Sequence, residues 1–202
     1  MSSYPTRWVI GIDEAGRGPL AGPVVVGGVA VKIKDKGLGI KDKGLGIQVL
    51  EGIRDSKKLS PRRREEWFRI LTAHPKIIWA VARVWPKIID RIHIAAAANL
   101  GVLRVYQKLA SGGEARVALL DAGLKLPSPI FHRAIIKGDE KIPLIAAASI
   151  IAKVTRDRIM VRLHKKYPQY GFDKHKGYGT KAHREMIGQF GRSEIHRVSF
   201  RV

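Results

Sequence analysis

Short apolar segments alternate along this chain with longer stretches of helical periodicity, and this alternation predicts an α/β fold. Segments rich in apolar and β-branched residues are expected to form strands at 7–12, 24–31, 77–84, 117–120 and 130–136. Helices are expected from Pro61 to about Ala73, from an Asp90 N-cap to about Ala110 and from Pro143 to about Lys166. A loop at 167–179 is expected to lead to a final helix from Thr180 onward. The turn signal Gly22-Pro23 makes the first two strands antiparallel, so the predicted sheet is mixed and flanked by helices.

The 202-residue chain is strongly basic, with 38 Lys and Arg against 17 Asp and Glu and a formal net charge of +21. Such an excess indicates a polyanionic partner, either nucleic acid or an anionic membrane surface. The absence of cysteine excludes disulfides and thiolate metal sites, and it fits a reducing cytosol. The longest apolar run, 144–152 if Ser149 is allowed, is too short for a membrane span, and no signal-peptide core precedes Asp13. We therefore expect a soluble cytoplasmic protein without a membrane partner.

Acidic residues follow three of the predicted strands in this otherwise basic chain: Asp13-Glu14, Asp121 and Asp139. Open α/β sheets build their sites at the carboxyl ends of strands, although each acid alone also suits a turn or a helix start. Carboxylates gathered at close range repel one another unless a cation lies among them, and oxygen-only ligands favour Mg²⁺ or Mn²⁺ over zinc. An acidic metal site within a basic surface indicates two-metal phosphodiester chemistry. Because adjacent strand residues point to opposite faces, Asp13 and Glu14 share a site only if the strand ends or twists there.

Several sequence blocks, taken in their order along the chain, resemble ribonuclease HII. They are GIDEAGRGPLAGPVV at 11–25, DSKKLS at 55–60, LLDAG at 119–123, IIKGDEKIPLIAAASIIAKVTRDRIM at 135–160 and HKGYGT at 175–180. The blocks extend over nearly the whole chain. Arg17 between two glycines favours type II, because the related ribonuclease HIII usually has lysine at that place and carries an additional N-terminal domain.

The resemblance implies a ribonuclease H-like fold, with a catalytic domain over 1–166 and a helical C-terminal segment over 167–202 packed on the same domain. It implies an enzyme that hydrolyses the RNA strand of RNA/DNA hybrids and cuts 5′ of ribonucleotides embedded in duplex DNA, leaving 3′-hydroxyl and 5′-phosphate ends. Mg²⁺ or Mn²⁺, two ions during catalysis, would be the cofactor, and the enzyme would be a monomer. His93, where asparagine is common, and the tandem KDKGLGI at 34–40 and 41–47 depart from the family pattern and leave loop geometry open.

The resemblance also assigns roles to individual residues. The catalytic and metal-binding carboxylates would be Asp13, Glu14, Asp121 and Asp139. The RNA–DNA junction would be read by Gly16, Arg17, Gly18 and Tyr178. Glycines allow the backbone to approach a 2′-hydroxyl closely, and that hydroxyl separates RNA from DNA. An aromatic ring between two glycines is suited to stacking on a nucleotide.

Further substrate contacts are expected from Lys57, Ser149 and Lys153. Lys57 lies close to a helix N-terminus, which suits a phosphate contact. Ser149 and Lys153 are four residues apart on one helix face, and close packing is the alternative for Ser149. Arg156 and Asp157 are expected only to pair with their helix neighbours.

Two other classes of protein remain compatible with parts of the sequence. A non-catalytic, basic RNA-binding protein explains the charge but not the acids at the strand ends. A junction resolvase of the same fold explains charge and acids but not the combination of Arg17 between glycines with Tyr178. Magnesium-dependent cleavage of a duplex containing one ribonucleotide separates all three.

Overall fold

A computed structural model describes residues 6–34, 50, 52–53, 59–111 and 116–202. Within these ranges the chain forms a mixed five-stranded sheet with the strand order 3-2-1-4-5. The strands are β1 (Thr6–Ala15), β2 (Val24–Lys34), β3 (Ile78–Val84), β4 (Arg116–Asp121) and β5 (His132–Ile135). β2 is antiparallel to both β1 and β3, whereas β1, β4 and β5 are mutually parallel neighbours. The predicted mixed sheet is confirmed.

Helices cover both faces of this sheet and build the C-terminal part. They are α1 (Pro61–Ala73), α2 (Pro86–Ala110), α3 (Gly138–Lys141), α4 (Pro143–Lys166), α5 (Phe172–His175) and α6 (Lys181–Phe190). Ser60 caps α1, and its side chain accepts a hydrogen bond from the Arg63 amide. The predicted bounds of α1 and α4 are confirmed. Each helix begins with a proline, whose missing N–H costs nothing at the first helical position.

Two helix predictions are wrong in detail. Asp90 does not cap α2, which begins at Pro86; its carboxylate instead accepts hydrogen bonds from the Val198 and Ser199 amides. His93 has φ 61° and ψ 160°, and therefore divides α2 into two helical parts. The stretch expected to be a loop after α4 contains a 3-10 turn at Pro168–Tyr170 and the short helix α5.

The alternation of β1 divides the core between two helices. Val9 packs in one cluster with residues of α4, whereas Ile10 and Ile12 pack in another with residues of α2. The α4 backbone comes very close to the sheet. A Cβ built on Gly27 of β2 would lie 2.5 Å from the carbonyl oxygen of Ala148, so only glycine fits there.

The C-terminal residues pack onto the loop that joins β1 and β2. Their cluster of buried residues consists of Leu20, Ala21, Met160, Tyr170, Phe172, Ile187 and Ile195. The division at residue 166 stays a prediction. Lys57 and nearly all of the repeated KDKGLGI segment lie outside the described residues. Over the described ranges, every helix is too short or too polar to cross a bilayer.

Replacement of Gly27 by alanine should destabilise the protein by about 1–3 kcal/mol, because the added methyl group forces α4 away from β2. Urea unfolding of the purified variant measures this loss.

Gly188→Ala is the matched control. Gly188 lies in α6, and a Cβ built there meets no atom within 4 Å. This variant should gain about 0.5–1 kcal/mol from helix propensity. Equal destabilisation by both substitutions would contradict the close approach of α4 to the sheet.

Candidate active site

The register of the parallel strands brings the first acidic residues together. Ile12 and Leu120 form the last pair between β1 and β4, so Asp13 and Asp121 follow at the same level on neighbouring strands. Neighbouring strands are about 4.8 Å apart, which places the two carboxylates at one edge of the sheet. β1 itself continues against β2 as far as the pair Ala15 and Val25.

Asp13 is 3 % exposed and is held from two sides. Its Oδ1 accepts a hydrogen bond from the Glu14 amide at 2.7 Å, and Ser149 of α4 also bonds to this side chain. Burial raises the pKa of Asp13 well above its usual range, and the carboxylates of Glu14 and Asp121 raise it further against the opposing bond from Ser149. A buried carboxylate beside two others is a place where a cation is favoured.

Glu14 is influenced by the carboxylate of Asp121 and by the guanidinium of Arg17. Burial raises the pKa of Glu14, the guanidinium of Arg17 opposes this shift, and Asp121 adds to it. Arg17 Nη1 is 3.4 Å from Glu14 Oε1. The other oxygen, Oε2, is buried and has no hydrogen-bond partner among the described residues. An unsatisfied buried carboxylate oxygen is costly in the protein alone and is available to a ligand.

The remaining two carboxylates are linked through the start of α3. The Gly138 amide donates to Asp121 Oδ1 at 2.7 Å, and Asp139 comes next in the chain with 2 % of its surface exposed. The prediction that Asp139 ends a strand is wrong, because β5 ends at Ile135 and Asp139 lies in α3.

The carboxylates do not form a complete coordination site for a metal ion. Among the described residues, no three His, Asp or Glu side chains are grouped closely enough to hold one ion as they stand, and the assignment of the four carboxylates as metal ligands stays a prediction. The side chains of Asp13 and Glu14 interact directly, Asp121 influences both of them, and Asp121 Oδ1 also accepts a hydrogen bond from the Gly138 amide. The donor set of buried carboxylate oxygens nevertheless fits a hard divalent cation such as Mg²⁺ or Mn²⁺.

The loop with the glycine-flanked arginine and the aromatic residue come together beside Asp13, Glu14, Asp121 and Asp139, which we call the acidic cluster. A Cβ built on Gly18 would lie 3.9 Å from Cε1 of Tyr178, and the Leu20 amide donates to the Gly177 carbonyl at 2.8 Å. The Tyr178 side chain is 43 % exposed, so the ring faces outward rather than filling the core. We call Gly16, Arg17, Gly18 and Tyr178 the reading surface, after the role that the sequence resemblance predicts for them.

The other predicted contact residues have different outcomes. Ser149 is buried and bonds to Asp13, and its direct contact with substrate stays a prediction. Lys153 lies 5.9 Å from the centre of the Tyr178 ring and pairs with Asp157 at 2.9 Å. Both line a cavity of about 390 Å³ beside Tyr178. Four cations and two carboxylates line it: Arg64, Lys153, Lys174 and Lys176 with Glu65 and Asp157.

Sequence reasoning missed the two arginines that hold the loop 16–23. Arg156 is fully buried and donates to the carbonyls of Ala21, Pro23 and Lys176, rather than pairing with its helix neighbours. Arg197 is 1 % exposed and donates to the carbonyls of Gly16, Arg17 and Gly22. An arginine inside the apolar stretch of α4 was a usable signal, but nothing local marked Arg197.

The family model described as Ribonuclease HII matches residues 10–202. This chain belongs to the ribonuclease HII family. It is therefore a ribonuclease H of type II, a phosphodiester hydrolase, and the non-catalytic alternative falls away. Ribonuclease HII of Caldicellulosiruptor bescii is 46% identical over 195 residues, which cover 96% of this chain and 86% of that protein. Ribonuclease HII of Chlamydia pneumoniae is 43% identical, over 95% of this chain and 82% of that protein.

A solved structure agrees with the fold. RNase HII from Archaeoglobus fulgidus, in its complex with PCNA, superposes with a TM-score of 0.73 at 30% identity, covering 96% of this chain and 95% of that one. The ribonuclease H-like architecture predicted from the sequence is thereby confirmed.

In a chelating buffer, Asp13→Asn should raise the melting temperature at pH 7–8. The pKa of Asp13 is raised in the folded protein, so its stabilising effect is present below the unfolded value of about 3.9 and is lost as pH rises through the folded pKa. The neutral asparagine avoids that loss. The gain should therefore shrink toward pH 4 and amount to a few degrees at pH 8. Thermal melts across this range measure it.

Asp90→Asn is the control of opposite sign. Partial burial raises the pKa of Asp90, but the hydrogen bonds from Ser199 and Val198 outweigh burial and lower it overall. Its stabilising effect is therefore present above the unfolded pKa, so Asp90→Asn should lower the melting temperature at pH 7–8. If both variants change the melting temperature in the same direction at pH 8, the electrostatic account of Asp13 is wrong.

Proposed function

We propose that this enzyme hydrolyses the RNA strand of RNA/DNA hybrids and cuts on the 5′ side of ribonucleotides embedded in duplex DNA, leaving 3′-hydroxyl and 5′-phosphate ends. One observation carries the proposal: the acidic cluster and the reading surface are continuous. Arg17 contacts Glu14, and the next residue, Gly18, faces the Tyr178 ring. A phosphodiester held at the carboxylates therefore has its neighbouring sugars against the loop and the ring.

We infer that the loop offers its amides rather than its carbonyls to the substrate. The carbonyls of Gly16 and Arg17 both turn inward to the buried guanidinium of Arg197. An outward amide in this loop suits a 2′-hydroxyl oxygen, which DNA lacks. Gly18 is exposed, so no side chain of its own keeps a ribose at a distance.

The cavity beside Tyr178 extends the binding path along α4. Its lining has a net charge of +2, from the four cations and two carboxylates described above. Phosphates of the duplex on the far side of Tyr178 would be bound there, through contacts that position the substrate without reading its sequence.

The carboxylates would hold the divalent ions. Asp13, Glu14, Asp121 and Asp139 are the ligands we propose, with Ser149 fixing the orientation of Asp13. Two bound Mg²⁺ or Mn²⁺ ions would supply an activated water and stabilise the leaving 3′ oxygen. The biological setting that follows is ribonucleotide excision repair and the removal of RNA during DNA replication, by a monomer in the cytoplasm.

A DNA duplex with one ribonucleotide should be cut in Mg²⁺ or Mn²⁺, directly 5′ of that residue. Asp121→Asn should lower the rate at least about 100-fold while the protein stays folded, because one ligand oxygen loses its charge. Denaturing gels with end-specific labels measure both the position and the chemistry of the ends.

Glu185→Gln is the matched control, since Glu185 is exposed on α6 and, among the described residues, forms its salt bridge with Lys181. It should cut like the unmodified enzyme. An enzyme that cuts a hybrid but leaves the single embedded ribonucleotide intact would contradict the proposed cut position. Undiminished cleavage by Asp121→Asn would remove the assignment of the metal site.

Tyr178→Ala should lose more activity on a single embedded ribonucleotide than on an all-RNA strand paired with DNA. Stacking of a base or sugar on an aromatic ring is worth about 1–3 kcal/mol, or roughly 5- to 150-fold in rate. Tyr178→Phe should keep most activity, since the hydroxyl makes no hydrogen bond within the described residues. Rates on both substrates, with a melting curve for each variant, decide the matter.

The backbone of Tyr178 is bonded independently of its side chain, because its amide donates to His175 and its carbonyl accepts from Thr180 and His183. Tyr178→Ala is therefore expected to fold. Equal losses on both substrates together with a large fall in melting temperature would show the ring to be a structural plug.

A further inference from the structure

The two halves of the reading surface come from distant parts of the chain, and two adjacent residues near the C-terminus hold them both. Arg197 holds the half that contains Gly16 and Arg17. Its Nη2 donates to the Gly16 carbonyl at 2.6 Å, and its Nη1 donates to the Arg17 carbonyl at 2.8 Å. Its Nε donates to the Gly22 carbonyl at 3.0 Å. One planar guanidinium thus fixes three carbonyls around the loop.

His196 holds the half that contains Tyr178, through His183. The Ser193 amide donates to His196 Nδ1 at 2.9 Å, so His196 carries its proton on Nε2. That Nε2 lies 3.1 Å from His183 Nε2, and His183 Nδ1 lies 2.9 Å from the Tyr178 carbonyl. The only directions consistent with these contacts run from His196 to His183 and from His183 to Tyr178.

This chain of hydrogen bonds requires neutral imidazoles, and burial provides them. His183 is fully buried, and His196 is 3 % exposed. Burial and the neighbouring His183 lower the pKa of His196 to about 4, and burial lowers the pKa of His183. Arg197 remains a cation, although burial and Arg156 lower its pKa to about 9. At neutral pH all three side chains are therefore in the state that the contacts demand.

The main chain of the same segment binds between the two halves. The Arg197 amide donates to the Leu20 carbonyl, and the Gly22 amide donates to the Ile195 carbonyl, both at 2.8 Å. Ala21 and His196 form an isolated antiparallel bridge. Backbone hydrogen bonds therefore hold the segment 195–197 against the loop independently of its side chains. The side chains of His196 and Arg197 extend to opposite halves of the reading surface.

We propose that His196 and Arg197 are positioning residues for substrate discrimination, which set the spacing between the Gly16–Gly18 loop and the Tyr178 ring. The proposal rests on the proposed function, because it concerns how the junction is read rather than how the phosphodiester is broken. Among the described residues, neither His196 nor Arg197 has a hydrogen bond to a residue of the acidic cluster. Hydrolysis of the phosphodiester is therefore expected to survive the replacement of either residue. A displacement of about 1 Å at a bound substrate is enough to change rates by large factors.

The test compares Arg197→Lys with Arg192→Lys. Arg192 is in the same segment and also donates to backbone carbonyls, but its acceptors are Arg197, Val198 and Phe200, all within the C-terminal segment. The measured quantity is the ratio of kcat/KM for a single embedded ribonucleotide to that for an all-RNA strand in a hybrid. One lysine ammonium cannot replace a fork that bonds three carbonyls. Arg197→Lys should lower the ratio about tenfold, mainly through the single-ribonucleotide substrate, and Arg192→Lys should leave it unchanged.

His196 supplies an independent arm. His196→Ala removes the donor to His183 and should lower the same ratio, whereas His196→Gln, whose amide can still donate, should restore most of it. Melting curves accompany every variant. If Arg197→Lys does not fold, the pair His196→Ala and His196→Gln decides by the same ratio.

The outcomes are distinguishable. An unmodified enzyme that does not cut 5′ of the single ribonucleotide would overturn the proposed function itself. If it does cut there, equal ratios for Arg197→Lys and Arg192→Lys, or equal losses on both substrates in His196→Ala and His196→Gln, would overturn the positioning role and leave both residues as ordinary parts of the fold.

Discussion

Two buried guanidiniums hold the loop between β1 and β2, and the geometry of the site depends on them. Arg156 extends from α4 and Arg197 from the C-terminal segment, and both end on backbone carbonyls of this loop. The burial of a cation is expensive unless its donors are satisfied, and hydrogen bonds from charged groups are among the stronger ones in proteins. The positive φ of Gly16 and Gly22 belongs to this arrangement, since a Cβ at Gly16 would lie 2.0 Å from Arg156 Nε.

The acidic cluster differs from the two buried arginines, because its buried charges are not fully satisfied by the protein alone. Asp13 and Glu14 have raised pKa values from burial, and Glu14 Oε2 has no hydrogen-bond partner within the described residues. The surrounding core compensates for this cost: α4 is buried along the stretch from Leu144 to Ala152 and packs closely on the sheet. Such a local conflict inside a well-packed fold is typical of a functional site. The chain as a whole has a net charge of +21, and this excess of positive charge favours the approach of a polyanion despite these few acids.

Local signals explain which parts of the structure could be predicted. Ser60-Pro61 and Pro143 define helix starts through cap and backbone chemistry, and the apolar strands define the sheet through their composition. The start of α2 was misplaced because Asp90, a good cap by type, bonds instead to Val198 and Ser199, 108 and 109 residues away. Asp139 was expected at the end of a strand because the short helix α3 has only four residues and leaves no periodic pattern.

The sequence indicated candidate site residues but not the contacts that support them. The motifs indicated Asp13, Glu14 and Tyr178, yet the contact between Arg197 and Gly16 joins residues 181 positions apart and has no local pattern. This difference separates two properties of the enzyme. The carboxylates depend on the register of β1 and β4, which the apolar strands determine. The reading surface depends on the docking of 195–197 against the loop, so in the proposed function discrimination and chemistry rest on different interactions of one fold. That proposal implies that a change in the C-terminal segment alters which substrate is recognised without altering the carboxylates.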